Sequence, residues 1–300
     1  MVKDIVKSIL GNRISVWLKT MKYYSNNPEC RNFLKDNEKY KNLYKGKRCF
    51  VLGNGPSLNS VDFSALSNEY TFTVNQLSRR ADFDKLKTNF HIWVDTLFFD
   101  LNSDNAADME LLEVMKKVKT EGNSPVNFFK WEAHRMIEQY NLADELNIQY
   151  IAEVRYDDRS SILKRNVDFT RTIPWMESVT CYAICLAVYM GFKEIYLLGC
   201  DCTGFINIAS SKMKQAENSV YAYNISSNEK ERLERMFNKR RIRDELNAYV
   251  GLFDEYEVLG QYCKKNGVLL CDATDGGLID CLPKVDLENV LFEKIKNNEN

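Results

Sequence analysis

Histidine is almost absent from this chain of 300 residues, His91 and His134 being the only two. The nine cysteines include no Cys-x-x-Cys pair, and no apolar run reaches about 18 residues. The first two absences argue against a zinc site, although Cys181 and Cys185 have helical i, i+4 spacing. The third leaves no candidate for a membrane-spanning helix. There is no secretory signal pattern either, so a cytoplasmic location is expected, with the inner face of the membrane as the furthest alternative. An excess of positive charge is missing too: 41 Lys and Arg stand against 42 Asp and Glu, a net charge of -1. No overall basic field calls for nucleic acid, and the expected partners are small molecules. Several cysteines lie inside apolar runs and their number is odd, which is reduced, cytosolic usage. With 45% hydrophobic and 28% charged residues, the length suits one large α/β domain with embellishments.

What is present is organised around residues 48 to 58. A short apolar run, Cys49 to Leu52, ends in Gly53-Asn54-Gly55-Pro56-Ser57, which reads as a buried strand followed by a glycine turn. Glycines at positions 53 and 55 let the backbone lie close to a ligand, and N–H groups left free at such a turn would cradle a phosphate. The alternative is a bare strand-to-helix turn with Ser57 as N-cap. Further along, Tyr70 to Val74 alternates like a second strand and delivers Asn75 at its carboxyl end, where ligands of open parallel sheets bind. Phe90 to Val94 is a third strand ending at Asp95, Val126 to Phe129 a fourth, and Ile148 to Val154 a fifth.

The second informative stretch runs from Ile173 to Gly204. Ser178 or Glu177 opens a nearly all-apolar helix to Met190, Gly191 stops it, and Glu194 to Leu198 forms a buried strand ending in Gly199-Cys200-Asp201. The helix N-terminus at Ser178 offers a second anion-binding point on the same rim. The last strand, Val268 to Cys271, leads into Asp272-Ala273-Thr274-Asp275-Gly276-Gly277. Strand, polar or glycine end, then helix is the repeating pattern. It predicts a Rossmann-like, mostly parallel sheet with helices on both faces. His91 and His134 sit in no glycine-rich or carboxylate-rich loop and are read as structural side chains.

Two segments fall outside this pattern. Residues 1 to 24 read as a basic amphipathic helix, with Ile5, Val6, Ile9, Leu10, Ile14, Trp17, Leu18 and Met21 on its apolar stripe and Lys3, Lys7, Arg13, Lys19 and Lys22 around it. It fits an anionic membrane surface, a partner, a homo-oligomer mate or its own domain. Residues 205 to 247 are polar and crowd Lys230, Arg232, Arg235, Lys239, Arg240, Arg241 and Arg243 together. They read as a solvated helical face or as a lid over an anionic substrate. The expected division is a helical extension over residues 1–44 and a nucleotide-binding catalytic domain over 45–300, with 205–247 as its lid-like insertion.

Gly53 to Leu58, Val74-Asn75-Gln76, Ser178 to Asp201 and Ala273 to Gly277 together resemble the MptE-like domain of archaeal 6-hydroxymethylpterin diphosphokinases. The first three stretches are also similar to those of bacterial sialyltransferases with a Gly-Asn-Gly-Pro-Ser-Leu loop. The resemblance covers roughly residues 45 to 290. It implies contacts to the CMP part of a donor from Asn54, Ser57, Asn75, Gly199 and Asp201. Those sialyltransferases take a histidine as base after the Gly-x-Asp strand, and residues 202–300 contain none. The expected function is therefore a nucleotide-dependent transferase, most concretely a glycosyltransferase taking a CMP-activated sugar to a glycan or small-molecule acceptor in surface-glycan biosynthesis. It requires no cofactor. The alternatives are a diphosphokinase using ATP, with Asp201 and Asp95 or Asp275 holding Mg²⁺, and an inactive nucleotide-binding protein. Asp201 is the expected catalytic residue. Gly53, Asn54, Gly55, Pro56, Ser57, Asn75, Asp95, Ser178, Gly199, Thr274 and Gly276 complete the expected nucleotide site, with no dedicated metal ligand.

Overall fold

Each apolar run marked as a strand forms one. A computed structural model describes the backbone of residues 2–155, 166–206, 221–237 and 241–298, and their side chains except for 2–13, 234–237 and 293–298. Its strands are β1 (Arg48–Leu52), β2 (Tyr70–Val74), β3 (Phe90–Trp93), β4 (Val126–Lys130), β5 (Asn147–Ile151), β6 (Glu153–Val154), β7 (Ile173–Pro174), β8 (Glu194–Leu198) and β9 (Leu269–Asp272). Seven of them make one sheet in the order β5-β4-β3-β2-β1-β8-β9. Every pairing in it is parallel; Val51, for example, is in register with Phe72 of β2 and with Leu197 of β8.

Parallel strands need crossovers, and these place helices on both faces. The helices are α1 (Val2–Asn26), α2 (Cys30–Lys35), α3 (Phe83–Leu86), α4 (Ala106–Lys116), α5 (His134–Gln139), α6 (Val179–Met190), α7 (Ser227–Phe237), α8 (Ile242–Lys265) and α9 (Leu287–Asn298). Because side chains alternate along a strand, Cys49, Val51, Phe72 and Leu197 meet α6 and α8 on one face. Phe50, Leu52, Tyr196 and Leu198 meet α4 and the 3₁₀ turns around Phe63 on the other. Ten of the 12 residues of α6 are buried, which explains a helix apolar all round. Gly191, at φ +91°, ends it. Its last carbonyls are capped from outside by Asn42 N and Tyr44 N, which donate to Tyr189 and Met190.

Two boundaries differ from the sequence expectation. The fifth strand divides at Ala152, and Glu153–Val154 leaves the main sheet to pair with Ile173–Pro174 in a separate two-stranded parallel ribbon. The insertion expected to run to residue 247 gives way to a helix already at Ile242, so α8 takes the end of the basic segment into a regular element. All nine cysteines are free, and seven are buried. Burial pushes the Cys49, Cys181, Cys185 and Cys200 thiols well above their usual range, so they act as small apolar side chains. Among the described residues no helix is long and apolar enough to cross a membrane.

Candidate functional site

From β1 the chain builds the sheet outward through β2, β3, β4 and β5, then returns to place β8 on the other side of β1. Loops leaving β1 and β8 therefore diverge at the carboxyl edge, where open sheets bind ligands. Here they are first stitched to each other. Gly53 N donates to Leu198 O and Gly55 N to Gly199 O, both at 2.8 Å. A Cβ on Gly53 would lie 2.3 Å from Gly199 O, and one on Gly55 would lie 1.7 Å from Asp201 Oδ2. Glycine is required here for contact between two loops of the same protein. Ser57 donates twice to Asp201, from N to Oδ1 at 3.0 Å and from Oγ to Oδ2 at 2.7 Å. The N–H groups of positions 53, 55 and 57, expected free for an anion, are thus used internally, and Pro56 has none to offer. Ser57 caps no helix either; the cap of the turn that starts at Pro56 is Gly55, without a side-chain bond.

The other arm of the β1 loop faces outward. Asn54 accepts Ala222 N on its backbone carbonyl at 2.9 Å, while its Oδ1 is buried without a partner among the described residues. Asn75, 21 positions on in the sequence, has the same property: Oδ1 is buried and unpartnered. Its backbone is left-handed at φ +47°, a conformation asparagine tolerates better than most residues. His91 helps to hold it there, because Nε2 donates to the Asn75 carbonyl at 2.8 Å and Nδ1 accepts from Thr73 Oγ1 at 2.7 Å. Burial pushes the imidazole down to about 3, with the Asn75 carbonyl opposing. His91 is thus a neutral positioning group and no base.

That depression has a sign. The unfolded histidine takes up a proton below about pH 6.5 and the folded one does not until about pH 3, so stability falls as pH drops through that window. Urea unfolding at about pH 7 and pH 5 should show the protein losing about 2 kcal/mol more than His91→Gln does over that interval. Equal losses would mean that His91 is protonated in the folded state.

Asn54 and Asn75 line one cleft of about 150 Å³, partly open to solvent, together with Gln76, Asp95, Phe98, Tyr221, Tyr223, Ile225, Glu229, Arg232 and Leu233. Three expected residues, Asn54, Asn75 and Asp95, are brought together from the ends of β1, β2 and β3. Asp95 Oδ1 caps the next turn through Leu97 N at 3.0 Å, and Oδ2 has no hydrogen-bond partner among the described residues. The stacked rings of Tyr221 and Tyr223, 5.3 Å apart, form one wall. Burial raises both phenols, so they remain protonated donors.

The roof is α7, and it is tied down. Glu229 accepts Gln76 Nε2 at 2.8 Å and the Arg232 guanidinium at 2.8 and 2.9 Å, with Arg79 Nη2 at 3.6 Å. Arg79 also donates to Gln76 Oε1 and Glu110, while Ser226 and Asn228 donate to Glu110 from the start of α7. Arg232, one of the seven crowded basic residues, is therefore paired within the roof. Arg241 and Arg243 are exposed at the start of α8, and Arg235, Lys239 and Arg240 lie outside the described side chains.

The remaining expected residues stand behind the cleft and do not line it. Gly199, at φ +62°, packs on Leu58. Thr274 Oγ1 accepts Cys200 N at 3.1 Å, and Leu278 N donates to the Asp201 carbonyl, so the turn carrying Gly276 braces the Asp201 loop. Ser178 caps α6 by accepting Thr180 N at 3.4 Å. Asp201, Asp95 and Asp275 do not gather: among the described residues no three His, Cys, Asp or Glu side chains are grouped to hold a metal ion, and both Asp201 oxygens serve Ser57. This donor set does not fit Mg²⁺. Sequence reading missed Phe98, Tyr221, Tyr223, Ile225, Glu229 and Leu233; the lid expectation for 205–247 pointed to the last five, and nothing pointed to Phe98.

No protein-family model and no curated protein matches the chain, so the MptE-like resemblance rests on its motifs alone. Among solved structures, the MAf glycosyltransferase from Magnetospirillum magneticum AMB-1 is similar at 14% identity and a TM-score of 0.45. That match covers 89% of this chain, which spans 40% of the length of that protein. The sialyltransferase CST-II in complex with trisaccharide acceptor and CMP is similar at 19% identity and a TM-score of 0.41, over 80% of this chain and 86% of that one. The sialyltransferase CstII from Campylobacter jejuni with cytidine-5'-monophosphate is similar at 20% identity and a TM-score of 0.29, over 65% of this chain and 100% of that one. Likeness of this extent carries no argument about chemistry.

Proposed function

We propose that the chain is a nucleotide-dependent transferase, and most concretely a glycosyltransferase that takes a CMP-activated sugar to a glycan or small-molecule acceptor in surface-glycan assembly. One observation carries the reading: the sheet topology brings Asn54 and Asn75 to one cleft, each with a buried amide oxygen that has no partner among the described residues. A buried acceptor without a partner costs about 1–3 kcal/mol, and a ligand donor recovers it. The exocyclic amine of a cytosine supplies such a donor, and the Tyr221–Tyr223 wall offers an aromatic face for the base. The resemblance of the same two asparagines to donor-binding positions in sialyltransferases points the same way.

In this reading each group has a distinct task. Asp201 is a positioning residue, since its carboxylate holds the β1 loop that presents Asn54. Among the cleft residues, Asp95 is the carboxylate with an uncommitted oxygen, Glu229 being held by Gln76 and Arg232. It serves as the base. The acceptor oxygen bonds to the anomeric carbon, the bond from that carbon to the phosphate oxygen breaks, CMP leaves with the electron pair, and the acceptor's proton passes to Asp95. The diphosphokinase needs Asp201 together with Asp95 or Asp275 on Mg²⁺, and both Asp201 oxygens are taken by Ser57, so that alternative is not advanced.

A thermal-shift panel of CMP, CDP, UDP, GDP and ATP, with and without Mg²⁺, tests the assignment. A bound nucleotide at about 100 times its dissociation constant stabilises by about 2.7 kcal/mol. The expected result is a shift with CMP that needs no Mg²⁺. A shift with ATP alone, dependent on Mg²⁺, would replace the proposal by the diphosphokinase, and no shift with any nucleotide would end it.

A further inference from the structure

Among the described side chains, the contacts of helix α1 with the rest of the chain gather around Val16, Lys19, Tyr23 and Tyr24. Val16 is buried, Tyr23 and Tyr24 pack on the cluster of Cys30, Leu34 and Trp131, and Tyr24 Oη accepts Thr172 N at 2.9 Å. Lys19 Nζ donates to the Arg155 carbonyl on the same side. These contacts set the rotation of the helix. They leave Ile14, Trp17, Leu18 and Met21 turned out, with 56%, 60%, 54% and 46% of their surface exposed. The four recur at i, i+3, i+4 and i+7, so they form one unbroken stripe along the helix. Scattered exposed apolar residues need no explanation, but a contiguous stripe that includes a tryptophan does.

Charge decides what covers it. Residues 1 to 24 hold five basic side chains, Lys3, Lys7, Arg13, Lys19 and Lys22, and one acidic, Asp4, in a chain whose overall charge is -1. A second copy seated on the stripe would set two such basic helices against each other, since a two-fold contact repeats the same patch on both sides. An anionic bilayer has no such conflict. Its acyl region takes up the apolar stripe, tryptophan is favoured at the interface, and lysines reach along their stems to the headgroups. Because among the described residues no helix is apolar enough to cross a membrane, the mode is to lie on the surface.

We propose that the outward face of α1, centred on Ile14, Trp17, Leu18 and Met21, is a docking surface for an anionic lipid bilayer. It holds whether or not the cleft binds a nucleotide. The test is co-sedimentation of the full chain with vesicles of phosphatidylcholine alone and of phosphatidylcholine mixed with phosphatidylglycerol. Binding to the mixed vesicles should be at least tenfold stronger, and should weaken as salt is raised. The double variant Trp17→Ser, Leu18→Ser should lose at least tenfold of that binding with an unchanged melting temperature, since both side chains are already in water. Lys22→Glu should weaken binding to mixed vesicles only. Equal binding to both vesicle types, or binding to neither, would overturn the proposal. So would a lipid-free dimer in sedimentation velocity that the double variant dissolves, which assigns the face to a second copy.

Discussion

Gly53→Ala is expected to destabilise the protein by about 3 kcal/mol and to abolish nucleotide binding. The cause is space, because the added methyl would stand 2.3 Å from the Gly199 carbonyl oxygen and 2.9 Å from its carbon. Both belong to backbone, so no side chain can swing aside; the loops after β1 and β8 must part. Parting them weakens the Gly53 N to Leu198 O and Gly55 N to Gly199 O bonds at the centre of the sheet's carboxyl edge. Overpacking costs typically about 1–3 kcal/mol when side chains yield, and a backbone collision sits at the upper end. Asn54 follows Gly53 directly, so its amide is displaced from the cleft. Gly122→Ala, in a turn with nothing within 4 Å of its Cβ position, is the control for backbone strain alone, since its φ is +71°. Urea unfolding checks the first effect and a CMP thermal shift the second. Stability equal to that of the unsubstituted protein would show that the two loops do not touch as described.

Glu229→Ala should release the roof of the cleft. Glu229 and Arg232 are 2% and 5% exposed, and the carboxylate is shared by Arg232, Arg79 and Gln76. Removing it leaves two largely buried guanidiniums with Glu110 as the remaining carboxylate of the group, bonded to Arg79. Breaking a buried pair on one side costs about 3–5 kcal/mol, more than the net value of the pair, because the remaining charge has lost both its water and its partner. The chain escapes most of that cost by lifting α7, so the loss is local. Hydrogen exchange should rise over residues 221–233 while the strands β1, β2 and β8 keep their protection. Affinity for nucleotide should fall with it, since Tyr221 and Tyr223 leave the wall. Glu229→Gln, which keeps the shape and the acceptor oxygen, should show a smaller rise. Unchanged exchange over 221–233 in Glu229→Ala would mean that packing, and not this carboxylate, holds the roof.

The strands were legible because a parallel sheet buries both faces, so Cys49 to Leu52 and Glu194 to Leu198 announce themselves as largely apolar runs, while Tyr70 to Val74 shows as an alternation of aromatic or branched residues with threonine; each leads to a glycine or polar residue. Asn54, Asn75 and Asp95 were legible through the rule that strand ends line the site. The state of the glycine loop was not. Whether Gly53 and Gly55 face a ligand or another strand's loop depends on what the topology seats across from them, and the chain segment concerned lies near Gly199, far along the sequence. The roof was obscured for a related reason: Glu229 and Arg232 look like members of a solvated charged face, and only contacts with Gln76 and Arg79 on a distant segment turn them inward. The break at Ala152 had no signal, because Glu153–Val154 continues the pattern of β5 while pairing elsewhere.

The central claim is that Asn54 and Asn75 together recognise a cytidine nucleotide in this cleft. Calorimetric titration of CMP into the unsubstituted protein, Asn54→Ala and Asn75→Ala tests it most directly, with unfolding curves of all three run alongside. Loss of one buried hydrogen bond to the base corresponds to about 1.4 kcal/mol, or a tenfold change in Kd. The account predicts that CMP binds the unsubstituted protein and that each variant binds it about tenfold or more weakly, with no loss of stability from removing an amide whose oxygen had no partner. CMP binding of equal strength in all three proteins would contradict it.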